Sequence, residues 1–155
     1  MADMKLDDVI DRAVKREEES FAFYRDLSDR VDDPAVRDTL EFLAGEERKH
    51  RDFLIAYREG RVGAGGLRMA EAVDYKIAEH LEAPDPEKDM ESKDVYLVAA
   101  HRELNSYLFY KELADVHPEG EVKDVLLRIA SEEMKHKEKV EYLYANTAFP
   151  QTAGG

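Results

Sequence analysis

Two short stretches of the chain carry metal-ligand chemistry, EERKH at residues 46–50 and EEMKH at residues 132–136. Each sets a glutamate three residues before a histidine, Glu47 before His50 and Glu133 before His136. On a helix such a pair projects from one face and makes a two-ligand clip. An offset of 86 residues carries Glu47 onto Glu133 and His50 onto His136, and the same offset carries Glu17 onto Glu103, Tyr24 onto Tyr110 and Leu27 onto Leu113. Laid over each other without a gap, residues 11–58 and 97–144 agree at 16 of 48 positions, far more than unrelated sequence gives. The chain is an internal duplication that repeats its candidate ligands in register.

Two further carboxylates sit where carboxylates are costly. Glu17 shares its helical face with Ile10, Ala13, Val14, Ser20, Phe21 and Tyr24, and Glu103 with Tyr96, Ala99, Ala100, Ser106, Tyr107 and Tyr110. The clips follow suit, among Leu40, Leu43, Leu54 and Tyr57 on one side and Leu126, Ile129, Val140 and Leu143 on the other. An unpaired ionised carboxylate in an apolar interior costs several kcal/mol or takes up a proton, and four facing one another compound that cost. Cations are the simplest remedy. Glu17, Glu47, Glu103 and Glu133 with His50 and His136 offer four negative charges, which two divalent ions balance. Hard oxygen plus imidazole ligation points to two iron ions, with manganese or zinc also able to occupy such a site. The competing reading is an inward polar network satisfied by water and internal hydrogen bonds.

The neighbouring polar residues divide by face. Tyr24 and Tyr110 lie two turns beyond Glu17 and Glu103 on the same face. Their buried hydroxyls need partners, and the nearest are ligand carboxylates across the bundle, which gives both tyrosines a supporting role behind the ligands. Glu18, Glu19, Glu46 and Glu132 point off the inward face, although Glu46 and Glu132 could pair with their own clip histidines. His80, His101 and His117 lack a glutamate three positions earlier, and His101 reads as a surface residue.

Four long amphipathic helices must position these groups. Apolar residues at three- and four-residue steps predict helices over about 6–31, 34–59, 92–116 and 121–145. Pro34 is placed to open the second helix and Ser92 to cap the third. The short DDP and HPEG turns make two antiparallel hairpins. Residues 61–91 join them as one long crossover, with a short helix predicted at about 67–81 and a flexible tail at 146–155. The expectation is a single all-α domain over residues 1–155, a four-helix bundle built from two duplicated hairpins.

Bulk properties narrow the function. A net charge of −13 repels phosphate, which argues against nucleic acid and anionic membrane as partners. With no cysteine there is no thiolate nucleophile, zinc ribbon or cysteine-ligated cluster. No apolar run reaches the roughly 18 residues of a membrane span, and the acidic N-terminus reads as no secretory signal, so a cytoplasmic protein is expected.

Glu17 seven before Tyr24, Glu47-x-x-His50, Glu103 seven before Tyr110 and Glu133-x-x-His136 together resemble the ferritin-like di-iron domain of rubrerythrins. The resemblance covers residues 6–145 and implies a ferritin-like bundle with Glu17, Glu47, His50, Glu103, Glu133 and His136 as iron ligands. It also implies reduction of hydrogen peroxide or dioxygen. Two departures matter. The chain lacks the cysteines of a rubredoxin-type site, so a separate electron donor is required. Ser106 stands where classical members place another glutamate. The remaining set of four Glu and two His also looks like the ferroxidase centre of bacterioferritins. The functional expectation is a di-iron oxidoreductase, a homo-oligomer with a dimer favoured. The alternatives are a ferroxidase or iron-handling protein and a non-enzymatic helical module with a structural metal site.

Overall fold

A computed structural model describes residues 5–67, 71–86 and 90–149. It is all-helical, with no strand among the described residues. The four long helices are α1 (Leu6–Arg30), α2 (Pro34–Arg58), α4 (Ser92–Asp115) and α5 (Glu121–Ala148), with a single turn, α3 (Ile77–His80), in the crossover. α1 and α2 pack as one hairpin and α4 and α5 as the other. None of these helices is long and apolar enough to cross a membrane.

The helix ends follow local chemistry. Val31 leaves α1 in an extended conformation, and the Asp33 carboxylate accepts from the Ala35 N–H at 3.0 Å to cap α2, with Pro34 at its first position. Gly60, at φ 76°, supplies the left-handed residue that stops α2. α4 starts differently from the sequence expectation. Its cap is Glu91, which trades hydrogen bonds with Asp94 in a capping box, and Ser92 is the first helical residue. The acidic pair satisfies the same backbone donors, and this frees the Ser92 hydroxyl to donate to Asp33 Oδ2 at 2.8 Å, tying the starts of α2 and α4 together.

The crossover also departs from expectation. The helix predicted over 67–81 is one turn, Ile77–His80, and residues 68–70 lie outside the described segments. The reason is tertiary. Side chains of α5 claim the backbone donors that a longer helix would use: Glu141 Oε2 accepts from Ile77 N at 2.8 Å and Ala78 N at 2.9 Å, and Glu138 accepts from Val73 N. Asp74 accepts from Lys76 N at 2.9 Å, and Lys76 is left-handed at φ 54°. The far end of the chain shows the opposite difference. α5 continues three residues beyond the predicted 145, and residues 150–155 of the predicted tail lie outside the described segments.

The crossover covers the outer face of α4. Six consecutive residues there, Val95 to Ala100, are buried, and His101 Nε2 lies 2.6 Å from the Leu81 carbonyl, so His101 anchors the crossover. Inside, the core divides into two apolar clusters. One holds Tyr24, Leu27, Leu40, Ala44, Ala99 and Val140, and the other Ile10, Ala13, Leu54, Tyr110, Leu126 and Ala130. Along every long helix a glutamate falls between them: Glu17 between Ala13 and Tyr24, Glu47 between Ala44 and Leu54, Glu103 between Ala99 and Tyr110, Glu133 between Ala130 and Val140. The carboxylates form a layer at mid-bundle.

Candidate metal centre

All six expected ligands are buried in that layer, with Glu17, Glu47, His50, Glu103 and Glu133 at most 2% exposed and His136 at 7%. They fall into two groups, Glu17–Glu47–His50–Glu133 and Glu47–Glu103–Glu133–His136, each with donor atoms within 4.8 Å of one another. Glu47 and Glu133 belong to both. Bonds of about 2.0–2.2 Å from one ion to two ligands span about 4.3 Å, so only a small contraction would close either group on an ion. Buried Glu/His clusters at this spacing could hold metal ions.

The direction of the donor atoms strengthens the fit. His50 Nδ1 stands 3.1 Å from Glu133 Oε1 and 3.5 Å from Glu17 Oε1, and His136 Nδ1 stands 3.7 Å from Glu103 Oε2 and 3.9 Å from Glu47 Oε1. Yet both Nδ1 atoms, one oxygen each of Glu17, Glu47 and Glu103, and both oxygens of Glu133 lack a well-directed hydrogen bond. The atoms are near one another without aiming at one another. Atoms that converge on a shared third partner have this geometry, whereas a self-contained polar network satisfies its members.

The outer atoms of these side chains are held. The Tyr24 hydroxyl on α1 donates to Glu103 Oε1 on α4 at 2.9 Å, and the Tyr110 hydroxyl on α4 donates to Glu17 on α1. Each tyrosine therefore serves the opposite hairpin. Burial, then the charge of Glu103, pushes the Tyr24 phenol well above its usual range, and burial with Glu17 does the same for Tyr110. Both stay protonated donors. His50 Nε2 lies 3.1 Å from Glu132 Oε2, which fixes the tautomer with its proton on Nε2 and leaves Nδ1 for a ligand's role. The sequence placed Glu132 off the inward face and at most beside its own clip histidine, His136. Helical spacing gives no sign of this partner, because His50 belongs to the other hairpin. Glu46, the duplicate of Glu132, instead faces Lys49 at 3.7 Å.

Without cations the layer is electrostatically frustrated. Burial, then the facing Glu103 and Glu17, raises the Glu133 carboxyl to about 8, and burial with Glu133 and Glu17 raises Glu47 well above the carboxylate range. Glu17 is held below its usual value although burial opposes this, because Glu47, His50 and Tyr110 hydrogen-bond or attract its charged form. Both histidines are raised against the effect of burial, His50 by Glu17, Glu132 and Glu133, and His136 by Glu103 and Glu133. Protons take the place that positive ions would fill.

A third acidic group, Asp74–Glu79–Glu141, also lies within ligand spacing. It already has a cation. Lys137 Nζ, fully buried, sits 2.7 Å from Asp74, 2.8 Å from Glu79 and 3.0 Å from Glu141, and clamps the crossover onto α5. Ser20 and Ser106 are both buried, and Ser20 accepts from Arg102 Nε at 3.3 Å. Compared with known protein families, with curated proteins and with solved structures, the chain matches none.

Proposed function

We infer that the six buried residues hold two metal ions, iron by preference, and that the protein is a non-haem di-iron oxidoreductase reducing hydrogen peroxide or dioxygen in the cytoplasm. Its electrons come from a separate donor. The observation that carries the reading is the pair of four-residue groups sharing Glu47 and Glu133, because two shared carboxylates set two cations side by side. Two ferrous ions so placed would supply one electron each, the pair that cleavage of an O–O bond consumes. Oxygen and imidazole donors without thiolate favour iron or manganese over softer metals.

The chain's own residues supply the rest. Glu17 and Glu103 complete the two groups from the α1 and α4 sides, each steadied by a tyrosine hydroxyl that burial keeps protonated. Glu132 orients His50 from behind through Nε2. The apolar clusters on either side exclude bulk water, which strengthens every charge interaction within the layer.

Metal analysis of protein purified without chelator should return two ions per chain. Stopped-flow mixing of the ferrous protein with peroxide under anaerobic conditions should oxidise it much faster than in peroxide-free buffer. Equal rates would refute the reductase reading. Oxidation of many ferrous ions per chain, with the ferric product retained in a large particle, would show an iron-handling protein instead.

A further inference from the structure

The duplication allows the surroundings of the two histidines to be compared position by position, and they differ. Around His50 the crossover lies close to the helices. The positions there are Lys49, Asp52, Phe53 and Ala56, with Arg128 donating to the Leu67 carbonyl at 2.6 Å and Gly66 packed against the Phe53 ring. Leu67 is itself buried in the core beside Leu54. At the matching positions around His136 stand Lys135, Glu138, Lys139, Tyr142 and Phe42, joined by Tyr75 from the crossover, and between them lies a pocket of about 540 Å³. His136 lines it, the one residue of the buried layer to do so, with Phe42 edge-on at 6.2 Å between ring centroids.

The pocket's chemistry is specific. Phe42, Tyr75 and Tyr142 are 43%, 45% and 56% exposed, an aromatic grouping of a kind that solvent ordinarily disfavours. In a chain of net charge −13, the pocket carries two lysines against one glutamate. That glutamate, Glu138, is already engaged by Lys135 at 2.9 Å and by Val73 N. Lys139 lies 4.8 Å from the Phe42 ring centre and makes no ion pair among the described residues. Its size falls within the few hundred Å³ typical of small-molecule sites.

We propose that this pocket binds a planar aromatic anion, its ring against Phe42, Tyr75 and Tyr142 and its charged group held by Lys139. A ring bound there lies against the outer edge of His136, the side away from the carboxylates. The site stands whether or not metal is bound, so it is tested separately from the redox reading.

The probe is flavin mononucleotide, titrated into the metal-free full-length protein and followed by quenching of its own fluorescence. Riboflavin provides the ring without the phosphate, and inorganic phosphate the charge without the ring. Flavin mononucleotide should bind at least tenfold more tightly than either. Tyr142→Ala and Phe42→Ala should each weaken it about tenfold, and Lys139→Ala should abolish its advantage over riboflavin. Lys49→Ala, at the duplicate of Lys135, should change nothing. All these side chains are exposed, so the fold survives their removal. Absence of flavin mononucleotide binding would overturn the proposal, as would binding indifferent to both Tyr142→Ala and Lys139→Ala. So would a Tyr142→Ala variant that splits a dimer on gel filtration while keeping its affinity, which would assign the pocket to a second copy of the chain.

Discussion

Replacing Glu133 by glutamine should stabilise the metal-free protein and weaken the metal-loaded one. The side chain is fully buried and shared between both ligand groups. In the metal-free fold its carboxyl titrates near 8, against a value of 4.5 without the fold's influence, so the native state holds a proton that the unfolded chain releases. Stability therefore falls as pH rises through that interval. At pH 7 the difference corresponds to about 3 kcal/mol, an order-of-magnitude value. Glutamine has the same shape and never ionises, so it escapes this cost while losing a contact to His50 worth about 1 kcal/mol. The net gain of about 2 kcal/mol should raise the melting temperature by about 4–8 °C at pH 7; near pH 4, where the carboxyl is protonated in both states, only the lost contact remains and the variant should be about 1 kcal/mol less stable than the parent. With iron present the sign reverses, because both groups lose a shared anionic ligand. The assay is thermal unfolding of both proteins at pH 4, 7 and 8, in chelator and with ferrous ion under anaerobic conditions. A glutamine variant that is less stable at pH 7 without metal, and binds metal as tightly as the parent, would show that Glu133 belongs to a self-satisfied polar network.

Ferrous or manganous ion at about a hundredfold excess over its dissociation constant should stabilise the protein by about 2.7 kcal/mol per site, reversed by chelator, and a melting temperature indifferent to metal would contradict the centre. Tyr24→Phe and Tyr110→Phe should each lower metal affinity about tenfold or more in competition with a chromophoric chelator; unchanged affinity would show that the hydroxyls merely satisfy themselves. Lys137→Met should cost about 3 kcal/mol in urea unfolding, since it strands Glu141, which is fully buried. Burial opposes the Lys137 charge, but Asp74, Glu79 and Glu141 outweigh it and raise its pKa above 10.5. The parent's advantage should hold from neutral pH up to strong alkali and shrink in acid, as Asp74, which Lys137 holds below its usual value against the effect of burial, takes up its proton; a variant equal to the parent at pH 7 would refute the clamp.

Helical period is a local property, and what depends on it was legible in the residues. The four long helices, the duplicate register, and the placing of Glu17, Glu47, Glu103 and Glu133 on apolar faces all follow from which side chains recur at three- and four-residue steps. Pro34 opens α2 as its chemistry dictates, whereas Ser92 yielded the cap of α4 to Glu91 because two carboxyl side chains competed for the same donors. The predicted helix over 67–81 failed for a non-local reason: Lys137, Glu138 and Glu141, more than fifty residues away, take up its charges and backbone donors.

The sequence by itself determined that two matched sets of ligand-type residues lie on inward helix faces, because spacing alone decides which side chains share a face. Only the tertiary structure decided how those faces meet. It pairs Tyr24 with Glu103 and Tyr110 with Glu17, sends Glu132 across to His50, and brings Tyr75 of the crossover beside Phe42 and Tyr142 at the pocket that His136 lines. The crossover occurs once in a chain whose hairpins occur twice, so it must cover one side of the bundle differently from the other.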